Sequence, residues 1–209
     1  ISQLIDTNIK LIYISTKDVY GNIFNSDNIV EMDKYYKLPY FVDDDHPFYP
    51  QTAYGKSKLI GEYITECHPN NCIIRLSSCY NDFDHYRGHW VPNLIKSILS
   101  NKCINVTNKG KQTRDLLHVH DLGRLIDILL QSNERGLKIN VGGGKNNIFS
   151  IVQLLDLIEP KVAIKHTPGL DYGFVFSNRL VSSKLNWKPE ILFQDRLPII
   201  LNNLAVTNK

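Results

Sequence analysis

Features that would mark a membrane protein or a nucleic-acid-binding protein are missing from this sequence of 209 residues. No apolar run reaches the roughly 18 residues that a membrane-spanning helix needs. The first ten residues, ISQLIDTNIK, lack the basic region and apolar core of a signal peptide. The net charge is only +3, and no basic stripe is interleaved with aromatic residues. The sequence therefore predicts a cytoplasmic protein whose partners include neither a membrane nor a nucleic acid.

Cysteine is also scarce, and its spacing indicates no metal site. The chain has four cysteines, none of which form the CxxC pairs typical of zinc sites: Cys67, Cys72, Cys79 and Cys103. Buried, reduced thiols are the favoured interpretation, because disulfides are rare in the cytosol. We expect no bound metal.

The chain is rich enough in apolar residues to bury a core, since 43% of it is hydrophobic and 22% charged. Three apolar runs with β-branched residues predict strands buried on both faces, at 10–15, 71–78 and 137–144. Segments with helical spacing alternate with these runs. This alternation favours an α/β fold with a parallel sheet.

Residues that open or cap helices mark the predicted helix starts. Pro50 and Thr52 open one helix. Its predicted core-facing stripe consists of Leu59, Ile60, Tyr63, Ile64 and Cys67. Asp121 and Ser150 are predicted to cap two further helices, and Pro92 suits the first turn of another.

Three other patterns have structural interpretations. Residues 22–50 predict a long loop, in which the acidic run 43–45 is solvated. The glycines of VGGGKNN (141–147) match no phosphate-binding pattern and indicate a turn before the helix that follows. His118 and His120 are predicted to lie on opposite faces of a strand, which does not favour binding of one metal.

Tyr54 and Lys58 are four residues apart, so a helix places both side chains on one face. A free phenol has a pKa of about 10, which a neighbouring ammonium lowers because it favours the phenolate. The strand predicted earlier in the chain ends in Ser15 and Thr16, and α/β sheets bind ligands at the carboxyl ends of their strands. Thr16, Tyr54 and Lys58 therefore form a candidate proton-transfer set.

Five segments in this order carry a resemblance to a known family: YISTKDVYG (13–21), TAYGKSKLIGE (52–62), IIRLSSCY (73–80), GKQTRDLLHVHDL (110–122) and INVGGGKNNIFSIVQLLDLI (139–158). The sequence resembles the extended short-chain dehydrogenase/reductases that act as nucleotide-sugar epimerases and dehydratases. The resemblance covers nearly all of residues 10–200. It implies a Rossmann-like parallel sheet and a small mixed α/β substrate-binding subdomain.

The resemblance also implies roles for single residues. Thr16, Tyr54 and Lys58 would be catalytic, and Tyr54 and Lys58 would also contact the ribose and nicotinamide side of the cofactor. The other implied cofactor contacts are Ser15, Leu76, Ser77 and Ser78. Substrate would be bound by Thr16, Trp90 and Arg114, because the guanidinium of Arg114 can hold the diphosphate of a nucleotide sugar at two points.

The family's glycine-rich cofactor turn is absent from this sequence, which begins with Ile1 and has Met32 as its only methionine. The first β-α units are therefore expected to be missing, and this chain alone is expected to be inactive. Residues 1–80 are predicted to be the remaining part of the NAD-binding domain. Residues 81–209 would mostly form the substrate-binding subdomain, with a return to the sheet around 115–142. NAD is the predicted cofactor, with NADP as the alternative.

Departures from the family pattern separate its subgroups. The 4,6-dehydratases follow their catalytic Thr with Asp-Glu, whereas this sequence has Lys17 and Asp18, which argues against dehydration. RLSSCY, GHW (88–90) and the segment around Arg114 look most like CDP-paratose (tyvelose) 2-epimerases. Asn81 stands where the family nearly always has glycine, and it can adopt the same left-handed conformation.

The predicted function is NAD-dependent epimerisation of a nucleotide sugar similar to a CDP-3,6-dideoxyhexose, through transient hydride removal, or the C-terminal part of such an enzyme. A reductase or 4,6-dehydratase of the same family is one alternative. A non-catalytic relative that binds a nucleotide sugar or a partner chain is another. For Arg114, a surface ion pair with Asp115 is the structural alternative. A homodimer is a further expectation.

Overall fold

The computed structural model of the protein describes residues 6–83 and 90–206. Its helices within these residues are α1 (Ala53–Glu66), α2 (Trp90–Leu99), α3 (Val119–Gln131), α4 (Ile151–Ile158), α5 (Arg179–Leu185) and α6 (Phe193–Val206). Its strands are β1 (Leu11–Thr16), β2 (Val30–Glu31), β3 (Tyr36–Lys37), β4 (Asn71–Leu76), β5 (Ser78–Tyr80), β6 (Ile104–Thr107), β7 (Thr113–His118), β8 (Leu137–Val141), β9 (Ile148–Ser150), β10 (Ile164–Thr167) and β11 (Gly173–Phe174). No helix of the described part is both long and apolar enough to cross a bilayer.

The central sheet is parallel, in the order β1-β4-β8. This confirms the predicted α/β class and the three predicted strands. Ile74 in β4 and Ile139 in β8 are fully buried. Residues 11–14 of β1 are only half-buried, because β1 has a single neighbouring strand among the described residues. The prediction of burial on both faces is therefore wrong for β1.

The helix α3 packs on the central sheet through Leu125 and Leu129, so the chain returns to this sheet through α3 and β8. His118 caps α3 by accepting the backbone N–H of His120 at 3.2 Å. The prediction that Asp121 is the cap is wrong. Asp121 lies fully buried in the first turn, where its carboxylate accepts the backbone N–H groups of residues 190 and 191.

The two histidines do not lie on opposite faces of a strand, as the sequence predicted. His118 ends β7 and His120 lies in the first turn of α3, and their ring centroids are 4.9 Å apart. The Asp82 carboxylate lies 3.3 Å from the Nε2 of His118. Within the described residues, no three His, Cys, Asp or Glu side chains are grouped so that they could hold a metal ion.

The helix α1 begins as predicted, because the hydroxyl of Thr52 accepts the backbone N–H of Gly55 at 3.0 Å. Its predicted apolar stripe is wrong for Ile60, Tyr63 and Ile64, which are 58%, 55% and 51% exposed, whereas Leu59 is partly buried against the core. The helix instead turns Gly55, Glu62 and Thr65 inward. Cys67 and Cys103 are also exposed, so the expectation of buried thiols is right only for Cys72.

The remaining strands form smaller sheets beside the central one. β7 pairs in parallel with β5 and β11 and antiparallel with β9, and β10 pairs with β6. Against them, α2 and α6 bury Ile95 and Phe193. The predictions for Pro92 in the first turn of α2 and for Ser150 as a cap are confirmed. Ser150 and Gln153 form a reciprocal capping box at the start of α4.

Residues 22–50 form a mostly irregular segment, as predicted, with β2 and β3 as its only paired strands. The acidic run inside it is not fully solvated. Asp44 accepts the backbone N–H of Asn140 at 2.5 Å, and burial raises the pKa of its carboxyl group. Asn81 does not adopt a left-handed conformation; its side chain accepts the backbone N–H of Phe83 at 2.7 Å.

Candidate functional site

A cavity of about 290 Å³ opens at the carboxyl ends of β1 and β4. Its lining includes these residues predicted from the sequence: Ser15, Thr16, Tyr54, Lys58, Leu76, Ser77, Ser78 and Trp90. They come from the ends of two neighbouring strands and from α1 and α2, which explains how residues so far apart in sequence meet. Gly88 and His89 of the GHW segment lie outside the described residues. We call this space the first cavity.

The ammonium of Lys58 is held at the rear of the first cavity. It donates a hydrogen bond to the backbone carbonyl of Ile14 at 2.9 Å and lies 5.9 Å from the ring centroid of Tyr54. On another side it lies 5.1 Å from the ring of Tyr13. Tyr13 can come this close to α1 because Gly61 has no side chain. A Cβ at position 61 would fall 2.1 Å from the hydroxyl oxygen of Tyr13. Two of the three ammonium protons remain for other acceptors.

The hydroxyl of Thr16 faces the cavity from the end of β1. It accepts the backbone N–H of Asp18 at 3.3 Å and donates to the Asp18 carboxylate at 3.4 Å. Both bonds are at the long end of the hydrogen-bond range, so they hold this hydroxyl weakly. The same carboxylate pairs with the ammonium of Lys17 at 2.8 Å.

A second cavity, of about 300 Å³, adjoins the first one and shares Ser78 and Trp90 with it. Its other lining residues are Lys17, Gln112, Arg114 and Ile151. Arg114, the remaining predicted site residue, therefore lies next to the first cavity and not inside it. A third cavity, of about 420 Å³, shares Trp90 and Ile151 with the second one, so Trp90 lines all three spaces.

Arg114 is largely buried, with 12% of its side chain exposed. Its guanidinium pairs with Asp171 and donates to the backbone carbonyl of Thr113 at 2.9 Å. The alternative of a surface pair with Asp115 is wrong. Asp115 is buried and accepts the backbone N–H of Phe176 at 3.1 Å. Burial raises the pKa of the Asp115 carboxyl group to about 7.

A buried polar network behind the first cavity was not predicted from the sequence. Ser15 donates to Glu62 at 2.5 Å, and Glu62 pairs with Arg75 at 2.8 Å. Arg75 also donates to the hydroxyl of Tyr20 at 2.9 Å, which donates to Asn140 at 2.8 Å. Arg75, inside the apolar run 71–78, was the sign of this network in the sequence, because a charge in a buried strand needs a partner.

The donors around the first cavity fit one half of a dinucleotide cofactor. The Tyr54 hydroxyl and the Lys58 ammonium suit ribose oxygens, and the strand ends at 76–78 form the opposite wall. The sequence contains no G-x-G-x-x-G turn that would seat a pyrophosphate. Other parts of the fold pack closely against the glycines at 142–144. The described residues therefore fit the nicotinamide and ribose side.

Comparison with known proteins identifies a family. The family described as "NAD dependent epimerase/dehydratase family" matches residues 2–142. The dTDP-glucose 4,6-dehydratase of Salmonella typhimurium is 27% identical over 204 residues, which cover 90% of this chain and 55% of that protein. The dTDP-glucose 4,6-dehydratase of Escherichia coli is 28% identical over 204 residues, with the same coverage. The chain thus spans about half the length of these relatives.

Solved structures show the same fold. A dTDP-glucose 4,6-dehydratase from Bacillus anthracis, in complex with NAD, has a TM-score of 0.77 at 23% identity. The superposition covers 94% of this chain and 62% of the dehydratase chain. A UDP-glucuronic acid 4-epimerase from Bacillus cereus, in complex with UDP-glucuronic acid and NAD, has a TM-score of 0.76 at 24% identity, with coverage of 96% and 64%.

Proposed function

We propose that this chain, which belongs to the NAD dependent epimerase/dehydratase family, is the catalytic and substrate-binding part of an enzyme that acts on a nucleotide sugar. The observation that carries this proposal is the first cavity. It joins the side chains of Thr16, Tyr54 and Lys58 at the strand ends. NAD is the cofactor that the family and the fit of the cavity support, with NADP as the alternative.

The roles of the three residues follow from their chemistry. NAD, when bound, supplies the oxidant that converts a sugar alcohol to a ketone. Thr16 binds the oxygen of the reacting hydroxyl group, because Asp18 holds its own hydroxyl only weakly. Tyr54 accepts the proton of that hydroxyl and returns it at the end of the cycle. Lys58 lies beside this tyrosine, with its ammonium 5.9 Å from the centroid of the ring, and its remaining protons are available to ribose oxygens.

The three adjoining cavities suit a long, segmented substrate. A nucleotide sugar with its reacting ring in the first cavity would place its diphosphate in the second, beside Arg114. Its nucleoside would then reach the third cavity, which Ser97 and Asn105 also line.

The residues after Thr16 favour epimerisation over dehydration. Water elimination needs an acid that gives its proton to the leaving hydroxyl and a base that takes a proton from carbon. At this position the chain carries Lys17, paired with Asp18 at 2.8 Å, in place of a carboxylic acid. We therefore keep epimerisation of a CDP-3,6-dideoxyhexose-like sugar as the specific proposal. A 4,6-dehydratase remains the second candidate, because the relatives named above carry that activity.

Product analysis tests this proposal. The chain, extended by the N-terminal cofactor segment that it is expected to lack, is incubated with NAD and CDP-, UDP- and dTDP-linked hexoses, and the products are identified by NMR. An epimeric sugar is the expected product, whereas a 4-keto-6-deoxy sugar would establish dehydration instead. Binding of nucleotide sugars without any turnover would establish the non-catalytic alternative. If no nucleotide sugar binds, the proposed substrate class is wrong.

A further inference from the structure

Two polar contacts fix the helix α1 against the end of β1. The Lys58 ammonium donates to the backbone carbonyl of Ile14 at 2.9 Å. The Glu62 carboxylate accepts the hydroxyl of Ser15 at 2.5 Å. Lys58 and Glu62 are four residues apart, so they lie on one face of the helix. Ile14 and Ser15 are consecutive in β1 and lead directly into Thr16, so the two contacts fix how far α1 lies along this strand.

Apolar packing contributes little to this position of α1. The structure describes all 14 residues of α1, and the buried ones among them are Gly55, Glu62 and Thr65. None of these three has a large apolar side chain, and Leu59 is only partly buried against the core. Interlocking core side chains normally keep a helix from sliding, because each one fills its own gap. Since α1 has almost no such interlock, the polar contacts supply it.

The partner that holds Glu62 is fixed in turn by three other groups. Arg75 of β4 donates from its Nε to both carboxylate oxygens of Glu62 at 3.1 Å. Its Nη1 donates to the Tyr20 hydroxyl at 2.9 Å and to the backbone carbonyl of Asp44 at 3.0 Å. The guanidinium also lies 4.6 Å from the ring centroid of Phe48. Buried ion pairs are often no more stabilising than apolar residues of similar volume, so stability alone does not account for this arrangement.

We infer that Glu62 is a positioning residue for the proton transfer. Through Ser15 and Arg75 it holds α1 where Tyr54 lines the same cavity as Thr16. In the part of the chain that the structure describes, Glu62 lines none of the three cavities. Its effect on the reaction therefore comes through the position of the helix. This inference rests on the proposed function and adds a residue that contacts neither substrate nor cofactor.

The double variant Glu62→Leu with Arg75→Met removes the anchor and leaves no buried charge unpaired, so the fold is expected to survive. It is made in the chain extended by its cofactor segment and measured with NAD and the CDP-, UDP- or dTDP-hexose that the original protein converts. Substrate affinity is expected to stay nearly unchanged, because Thr16, Trp90 and Arg114 lie outside α1. The single-turnover rate is expected to fall roughly 10- to 100-fold, because a misplacement of about 1 Å has an effect of this size.

Glu62→Asp is a second variant that keeps the charge beside Arg75. Its side chain is one methylene shorter, so it no longer reaches both Ser15 and Arg75 at hydrogen-bond distance unless α1 moves. The rate should fall here as well, with affinity preserved. Leu129→Ala is the control for lost stability. Leu129 is fully buried in α3, so its removal leaves a cavity away from α1 and should not slow the reaction.

The inference and the proposed function fail in different ways. If both Glu62 variants are folded by circular dichroism and react at the original rate, the inference is overturned and the proposed function stands. The same follows if Leu129→Ala slows the reaction as much as they do, or if affinity falls as much as the rate. If the double variant does not fold, Glu62→Asp decides by the same criteria. If the original protein converts none of the nucleotide sugars, both are wrong.

Discussion

Glu62 and Arg75, each 1% exposed, form an ion pair at 2.8 Å that joins α1 to β4. Replacing Glu62 with Gln leaves the arginine charge buried without a counter-charge. We expect this change to lower the free energy of unfolding by about 3–5 kcal/mol. Urea denaturation monitored by circular dichroism measures it.

The matched control removes both charges together. Glu62→Leu with Arg75→Met is expected to be milder than Glu62→Gln, because no buried charge is left unpaired. A loss below about 1 kcal/mol for Glu62→Gln would contradict the importance of the pair.

Tyr54→Phe removes the hydroxyl that transfers the proton and leaves the ring in place. Substrate affinity is expected to stay nearly unchanged, while the single-turnover rate falls about 10²-fold or more, the scale of general acid–base catalysis. Rapid-quench kinetics with saturating nucleotide sugar and NAD, in the chain extended by its cofactor segment, measure this rate. Tyr63→Phe, on the outer face of the same helix, is the control and should react at the original rate. A Tyr54→Phe protein of normal activity would exclude Tyr54 as the proton-transfer group.

Arg114→Lys replaces a two-point fork with a single point charge. A charge-assisted hydrogen bond contributes about 1.5–3 kcal/mol, so the dissociation constant of the nucleotide sugar should rise roughly 10- to 150-fold. Calorimetric titration measures it, with Arg179→Lys as the control, since Arg179 pairs with Asp43 on the exposed surface. Unchanged affinity would place the diphosphate site elsewhere.

The raised pKa of Asp115 predicts a pH-dependent stability. In the folded protein this pKa is about 7, whereas an unfolded chain has an aspartate pKa of about 3.9. Between these values the folded protein keeps a proton that the unfolded chain has lost, so the contribution of this group to the free energy of unfolding falls as pH rises. The steepest expected fall is about 1.4 kcal/mol per pH unit.

Asp115→Asn cannot titrate and provides the reference. The unfolding free energy of the original protein minus that of Asp115→Asn is measured in urea from pH 4 to pH 8. This difference should fall up to about pH 7 and then level off. A difference that is constant over this range would mean that Asp115 is already ionised in the fold.

The exposed apolar face of α1 is where we expect a homodimer to form. Ile60, Tyr63 and Ile64 lie three and four residues apart, so they present one continuous surface. Ile64→Lys should shift the protein from dimer to monomer in analytical ultracentrifugation. Leu130→Lys, at a single exposed leucine of α3, is the control. A protein that is monomeric before any substitution would refute the homodimer.

The sequence predicted the parts of this structure that leave a local pattern. Buried parallel strands are continuous apolar runs, which is why β4 and β8 could be recognised. The lining of one cavity by Thr16, Tyr54 and Lys58 was indicated by a strand end and by the spacing of four between Tyr54 and Lys58. The roles of these residues stay a prediction until variants are measured.

The features that the sequence did not predict depend on tertiary contacts. The outward face of α1 carries more large apolar residues than its inward face. The inward face packs through Gly55 and the buried Glu62, so periodicity indicated the wrong side. The pairing of Arg114 with Asp171 joins residues 57 positions apart. No local pattern encodes such a pair, because the pairing of β11 with β7 is what brings the two residues together.

The glycines at 142–144 have a consequence for how this fold can evolve. A Cβ at Gly142 would fall 1.8 Å from the Asp115 carboxylate, and one at Gly143 would fall 1.9 Å from the carbonyl oxygen of Leu116. Gly144 has a φ of +79°, which favours glycine. Substitutions at these three adjacent positions would therefore be destabilising, each for a different reason, although the three glycines line none of the three cavities. A saturation mutagenesis library would show this as a loss of variants at all three positions. A descendant that lost Tyr54 would still need this triplet to fold, so the triplet marks the ancestry of a sequence, whereas the residue at position 54 bears only on the proposed proton transfer.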